Sequence, residues 1–295
     1  MKILSNPAVL SYQNVCVLLI SIFFVTSSIG ADLEIKNISR LSSKVDETSG
    51  LASHDNFIYT INDSGNSNLL HKLSRDGKIV GSILISNADN TDWESLAQDD
   101  DFLYIADTGN NFNLRSTFTI YKISWSQLEN FEAEAELITF SYGDYIPGNM
   151  RTHNFDAEAI TIRDDEIWLF SKNRGDGNSK LYRFPKTSGN YQPMPVQSLP
   201  VNSLVTGADI NPITGDLLLS STRRQGSKWE SFLWMAPTSI HGVEWDENQN
   251  AAIFPSDQWE AIIWNEESDG MILTHENNVQ GYAGMGKLFI SDLKN

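Results

Sequence analysis

The sequence predicts an all-β chain folded as a β-propeller of five blades, with six as the alternative count. Three observations carry this expectation. Runs of about four to eight residues rich in Ile, Leu, Tyr, Phe and Trp alternate with Gly/Asn/Asp turns, the pattern of strands. No segment sustains a helical period, and the best candidate, residues 126–136, is short and reads as a loop. One pattern recurs five times at a spacing near 50 residues, the size of a four-stranded blade.

The first unit reads ETSGLA (47–52), FIYTINDSGN (57–66) and then LLHKLSRDGKIVGSILI. The second reads DWESLA (92–97), FLYIADTGNN (102–111) and FTIYKISW. The third reads FDAEAIT (155–161), EIWLFSKNRGDGN (166–178) and KLYRFPK. The fourth reads VTGADI (205–210), DLLLSSTRRQG (216–226) and SFLWMAP, and the fifth QWEAII (258–263), GMILTHENN (270–278) and KLFISDL. Gly50, Ser95, Ala159, Gly207 and Ala261 are equivalent and small, as expected where inner strands crowd an axis. The fifth unit has three clear strands, and residues 33–41 (LEIKNISRL) are expected to supply its fourth, closing the ring and removing exposed edges. A sixth blade would have to lie within residues 126–150 or 238–255.

The 295 residues, 40% apolar and with eight Trp, are enough for a full core, which excludes disorder. A net charge of −17 excludes binding to nucleic acid or anionic membrane through the bulk field, and favours cations. Residues 15–30 (VCVLLISIFFVTSSIG) are apolar and shorter than the ~20 residues of a spanning helix. Lys2 precedes them, and Ser28 and Gly30 suit a cut after Gly30, so residues 1–30 read as a signal peptide. An uncleaved anchor is the competing reading. Residues 31–295 are then a single exported domain, periplasmic or extracellular, monomeric and not inserted in the membrane. Cys16 is the one Cys, so the mature domain has no disulfide and no thiol catalysis.

Propeller geometry puts the opening of each inner strand and the loop after each second strand on one face. The openings are Glu47, Asp92 with Glu94, Asp156 with Glu158, Thr206, and Glu260. The loops carry Asn62 and Asp63, Asp107 and Asn110, Lys172 and Arg174, Arg223 and Arg224, His275 and Glu276. Carboxylates gathered in a low-dielectric channel must bind a cation, pair with a base or stay protonated. Blades one and two supply carboxylates and amides, which suit a hard cation such as Ca²⁺. Blades three and four supply bases, which suit an anionic group.

The expected metal ligands are drawn from Glu47, Asp63, Glu94, Asp107 and Glu158. Arg174, Arg223 and Lys172 would neutralise developing negative charge, and Glu260 or His275 would exchange the proton. Turn-forming roles for the Asp-Ser-Gly-Asn and Asp-Thr-Gly-Asn segments, and inter-blade ion pairs for the arginines, are the competing readings. GYAGMGKL (281–288) matches a phosphate-binding loop only as far as Gly-Lys, because Leu288 stands where Ser or Thr would bind Mg²⁺. Asp99–Asp101 reads as a solvated turn on the opposite face.

ETSGLA with YTINDSGN, and DWESLA with LYIADTGNN, resemble a group of exported bacterial β-propellers of mostly unassigned activity, near the SdiA-regulated and the phytase-like, esterase-like families. FDAEAIT with EIWLFSKNR is similar to the Asp-x-Glu-Gly-Leu inner strand of the phytase-like group, with Ala159 in place of its Gly. That resemblance implies a Ca²⁺-dependent hydrolase of phosphoesters or esters. A more distant likeness to regucalcin and gluconolactonase propellers implies a metal held at the channel mouth and adds lactones. Glu47 stands where their Glu does, followed by Thr-Ser-Gly rather than Gly-Pro. The alternative is a non-catalytic propeller that binds a sugar, a peptide or an envelope protein, with Trp93 and Trp259 as rim aromatics unless they pack between blades.

Overall fold

Residues 32–277, 281–289 and 291 are described by a computed structural model; the signal-peptide reading of residues 1–30 lies outside them. Five sheets form five blades, each beginning with its innermost strand. The inner strands are Thr48–His54, Trp93–Gln98, Ala157–Arg163, Leu204–Ile210 and Trp259–Trp264. They touch in sequence order, and the fifth touches the first, which closes the ring. The second strands, Phe57–Asn62, Phe102–Asp107, Glu166–Ser171, Leu217–Gln225 and Gly270–His275, pair antiparallel with them. Both sets are covered on two faces by neighbouring blades. Their sequences are therefore near-continuous apolar runs, and the alternation of polar and apolar residues survives only farther out.

The fourth strand of blade five is Lys36–Arg40, antiparallel to Gly284–Phe289, so the chain start closes the ring as expected. The preceding pair, Leu33–Glu34, lies instead on blade four, parallel to Ile253 and Phe254. The same stitch recurs: Glu132–Ala133 lies on blade one and Gly189–Tyr191 on blade two, each just before the outer strand of the next blade. Between blades three and four a side chain takes over this role. Gln197 donates to the Val243 carbonyl (2.7 Å) and accepts from its N–H (3.0 Å). Residues 126–150 and 238–255 serve as outer strands and these stitches, so the count is five blades.

Core packing runs between blades. Trp93, Trp168 and Trp259 are fully buried, each large enough that truncation to Ala would cost about 3–5 kcal/mol. Trp93 and Trp259 each donate the indole N–H to a backbone carbonyl four residues back, those of Asp89 (3.1 Å) and Pro255 (2.9 Å). They are packing residues and not rim aromatics. Small residues after each strand opening are required by contact: a Cβ on Gly50 would lie 2.5 Å from the Leu96 nitrogen, and one on Gly207 would lie 3.0 Å from that of Ile262.

Candidate cation site at the channel mouth

Every inner strand carries an irregularity at its second or third residue, where one side chain is skipped in the pairing register. The skipped residues are Ser49, Glu94, Glu158, Thr206 and Glu260. A bulge re-aims a side chain that regular pairing would hold against the neighbouring sheet. All five are buried, at 6% exposure or less, so three carboxyl groups stand in one layer around the axis. Glu47 belongs to the layer outside it, two residues before the bulge, level with Asp92 and Asp156. It is exposed and accepts a hydrogen bond from the Asn66 amide.

The pairing register also separates two segments that look alike. Asn62 pairs with Thr48, and Asp107 with Trp93, so Asp107 is equivalent to Asn62, and Thr108 to Asp63. Successive residues of a strand face opposite ways. Asp63 therefore joins the mouth, whereas Asp107 points into the blade. There its carboxylate pairs with Arg115 (2.8 Å) and accepts the Asp92 N–H (3.0 Å).

Asp63, Asp92 and Glu94 each offer an oxygen within 4.8 Å of the others, and so do Glu94, Asp156 and Glu158. Glu94 is common to both groups. One oxygen faces the Ser49 hydroxyl (3.4 Å), and the other, buried, has no partner among the described residues. The two groups differ in charge compensation. Lys172, also buried, is ion-paired to Glu158, and Arg174 binds Asp156 through Nε (3.1 Å) and Nη2 (3.0 Å). Arg174 also lies 3.7 Å from Glu158 and donates to Asn111. No cationic side chain among the described residues bonds to Asp63, Asp92 or Glu94.

Burial raises acids of both groups: it holds Glu158 well above the ordinary carboxylate range although Lys172 and Arg174 act to lower it. Burial, reinforced by Asp63 and Asp156, raises Asp92 to about 6. Burial followed by the Glu158 charge holds Glu94 well above the ordinary carboxylate range. Asp63 is raised by burial and by Glu260. Glu276, on the blade-five side, is pushed up to about 8 by burial and then by Glu260 and Asp63. Lys172 moves up because Glu158 and Glu260 outweigh the cost of burying it. Gly109 makes room for the first group: a Cβ there would lie 2.3 Å from an Asp92 oxygen and 2.4 Å from Glu94.

The fold thus brings together Asp63, Glu94, Glu158, Lys172, Arg174 and Glu260 from the expected set. Asp92 and Asp156 complete the oxygen groups. They stand among the strand openings, but the sequence reading did not include them among the metal ligands. Besides Asp107, two expected residues lie elsewhere. Arg223 is exposed at the end of a long hairpin, bound to Glu230 (2.7 Å). His275 is fully buried inside blade five, edge-on to Trp259 at 4.9 Å, with Nδ1 3.0 Å from the Glu276 carbonyl and 3.4 Å from Asp257.

Ring and mouth together define a five-bladed β-propeller with an acid-rich channel entrance. The sequence matches no protein-family model, and no curated protein matches it. Among solved structures the chain is similar to hydrazine synthase of Kuenenia stuttgartiensis, at 12% identity and a TM-score of 0.42 over 87% of this chain. It spans 58% of that protein's chain. It is also similar to an exo-β-1,3-galactanase from Phanerochaete chrysosporium, at 12% identity and a TM-score of 0.49, covering 81% of this chain and 59% of that one. An α-L-arabinofuranosidase from Podospora anserina gives 9% identity and a TM-score of 0.47, covering 90% of this chain and 99% of that one. No site residue is carried over from these likenesses.

Proposed function

We propose that the channel mouth holds a divalent cation, Ca²⁺ by its oxygen chemistry, on Asp63, Asp92 and Glu94, and that the exported protein is a metal-assisted hydrolase of phosphoester, ester or lactone substrates. The observation that carries the cation is the buried oxygen of Glu94 that has no partner among the described residues, beside two carboxylates to which no cationic side chain among them bonds. A buried acceptor left unmet costs about 1–3 kcal/mol, which a hard cation repays. When bound, such an ion polarises an ester oxygen or makes a water molecule more acidic. Glu276, which burial and its acidic neighbours keep protonated to about pH 8, would supply a proton to a leaving group. Lys172 and Arg174 pair with Glu158 and Asp156, which leaves the cation to the blade-one and blade-two side. The resemblance of FDAEAIT and EIWLFSKNR to phytase-like propellers supports the reaction class.

One observation favours the non-catalytic alternative. Both mouth bases are already committed to carboxylates, which leaves little positive charge to grip an anionic substrate. The test has two stages. Calorimetric titration of Ca²⁺ into protein stripped with EDTA should give one equivalent, lost in Glu94→Gln with the melting transition kept. A panel of phosphoester, ester and lactone substrates should then show turnover that EDTA removes. Absence of binding refutes the cation site. Binding without turnover leaves a Ca²⁺-dependent binder of a sugar, peptide or envelope protein.

A further inference from the structure

The far ends of the inner strands, with the turns that follow them, frame a funnel of about 840 Å³ on the face opposite the acid-rich mouth. Every blade contributes to its wall. None of the mouth carboxylates lines it, and the space among Ser49, Ser95 and Glu260, nearer the mouth, is too small for a water molecule. The funnel is therefore a separate compartment, and its volume lies in the range of small-molecule sites.

Asp209 and Trp264 line it. The Asp209 carboxylate is enclosed by protein yet partly open to the funnel. It accepts the backbone N–H groups of Ile210 (2.9 Å) and Trp264 (2.8 Å). The other acids of the wall either have bases or are solvated. Asp99 pairs with Lys186 (3.1 Å), Glu266 with Arg75, and Asp164 with Arg163 (3.7 Å). Asp100 and Asp101 stand exposed or at the turn surface. Asp209 meets no cationic side chain among the described residues, and burial pushes it up to about 7. Trp264, 4% exposed, carries an indole N–H without a partner among the described residues.

An anion in this setting is stabilised by a positive charge brought from outside. A divalent metal would need several oxygens, and Asp209 is one carboxylate already bonded to two N–H groups. An organic ammonium needs one carboxylate. We propose that the funnel is a second ligand site that takes a small polar molecule carrying a protonated amine, the ammonium on Asp209 and the body of the molecule against Trp264 and the polar wall. This site is independent of the cation site at the mouth.

A matched pair of probes isolates the charge: 4-aminocyclohexanol and cyclohexane-1,4-diol, titrated in EDTA near neutral pH and followed by ligand-observed NMR. The amine should bind with one equivalent and at least about tenfold more tightly than the diol, the difference one good charged contact makes. Asp209→Asn, which keeps an acceptor for one of the two N–H groups, should erase that preference. Ile213→Arg, at an exposed rim position, should weaken amine binding about tenfold or more through like charge, with the melting transition unchanged. Glu94→Gln should leave binding as it is, so failure of the mouth site and failure of this one are read separately. Equal binding of the two probes overturns the proposal. So does absence of amine binding, or amine binding that survives Ile213→Arg, the variant that decides if Asp209→Asn does not fold.

Discussion

Asp63 and Asp107 sit in segments that look the same in sequence and face opposite ways in the fold. Asp63 shares a 4.8 Å neighbourhood with Asp92 and Glu94, while Asp107 is turned into blade two and tied to Arg115 at 2.8 Å. The cause is a single residue of register: NDSGN carries one more residue ahead of its turn than DTGN, and strand side chains alternate.

Two substitutions to Asn separate these roles. Asp63→Asn should weaken Ca²⁺ binding at least about tenfold with little change in melting temperature, since it removes a ligand charge from a partly exposed position. Asp107→Asn should cost about 1–3 kcal/mol, because it weakens a buried charge-assisted pair, and should change Ca²⁺ affinity much less. Thermal unfolding and calorimetric titration of both variants check this.

The pH response of the metal-free protein follows from acids that stay protonated in the fold to higher pH than in the unfolded chain. Asp92, raised from its ordinary value of 3.8 to about 6, leads this group, with Glu94 and Asp63 shifted the same way. The folded state then binds more protons than the unfolded state between those values. This contribution to stability is complete at low pH and is lost as pH rises through about 6. Ca²⁺ binds the ionised form, so its stabilisation should grow across the same window. Melting curves at about pH 5 and about pH 7.5, with EDTA or Ca²⁺, should show a larger Ca²⁺ shift at the higher pH. In Asp92→Asn that pH dependence should shrink.

Lys172 acts as a tethered cation between Glu158 and Glu260. Lys172→Met should destabilise the metal-free protein by about 3–5 kcal/mol, the cost of a buried charge left alone. Excess Ca²⁺ should recover part of that loss, because Glu158 is then left with Arg174 as its one neighbouring base among the described residues. Calorimetry on the variant measures both effects.

Two glycines give contrasting failures. Gly50→Ala puts a Cβ 2.5 Å from a backbone nitrogen of the neighbouring inner strand, which cannot yield, and should cost 3 kcal/mol or more, about the top of the range for overpacking. Gly109→Ala meets carboxylate oxygens at 2.3 and 2.4 Å, which can swing away. It should leave the melting temperature nearly unchanged and reduce Ca²⁺ affinity about tenfold or more. The pair distinguishes crowding that holds the ring from crowding that shapes the site.

The chain's own pattern determined the ring. Five copies of one strand–turn–strand unit, small residues at Gly50, Ser95, Ala159, Gly207 and Ala261, and a spare strand at residues 36–40 leave little else to build, because each unit can bury its apolar faces only against its neighbours. The same pattern pointed to a charged mouth and to most of its acids. Tertiary structure alone decided which residues face the axis. The bulges put Glu94, Glu158 and Glu260 in one layer and leave Glu47 outside it, and a one-residue offset removed Asp107. His275 closed into a core, and Arg223 went out along a hairpin. The funnel with Asp209 and Trp264 was beyond sequence reading, since its wall is drawn from five turns far apart in the chain. Facing and enclosure depend on pairing register and on neighbours across the ring, and a linear pattern fixes which strands form before it fixes either.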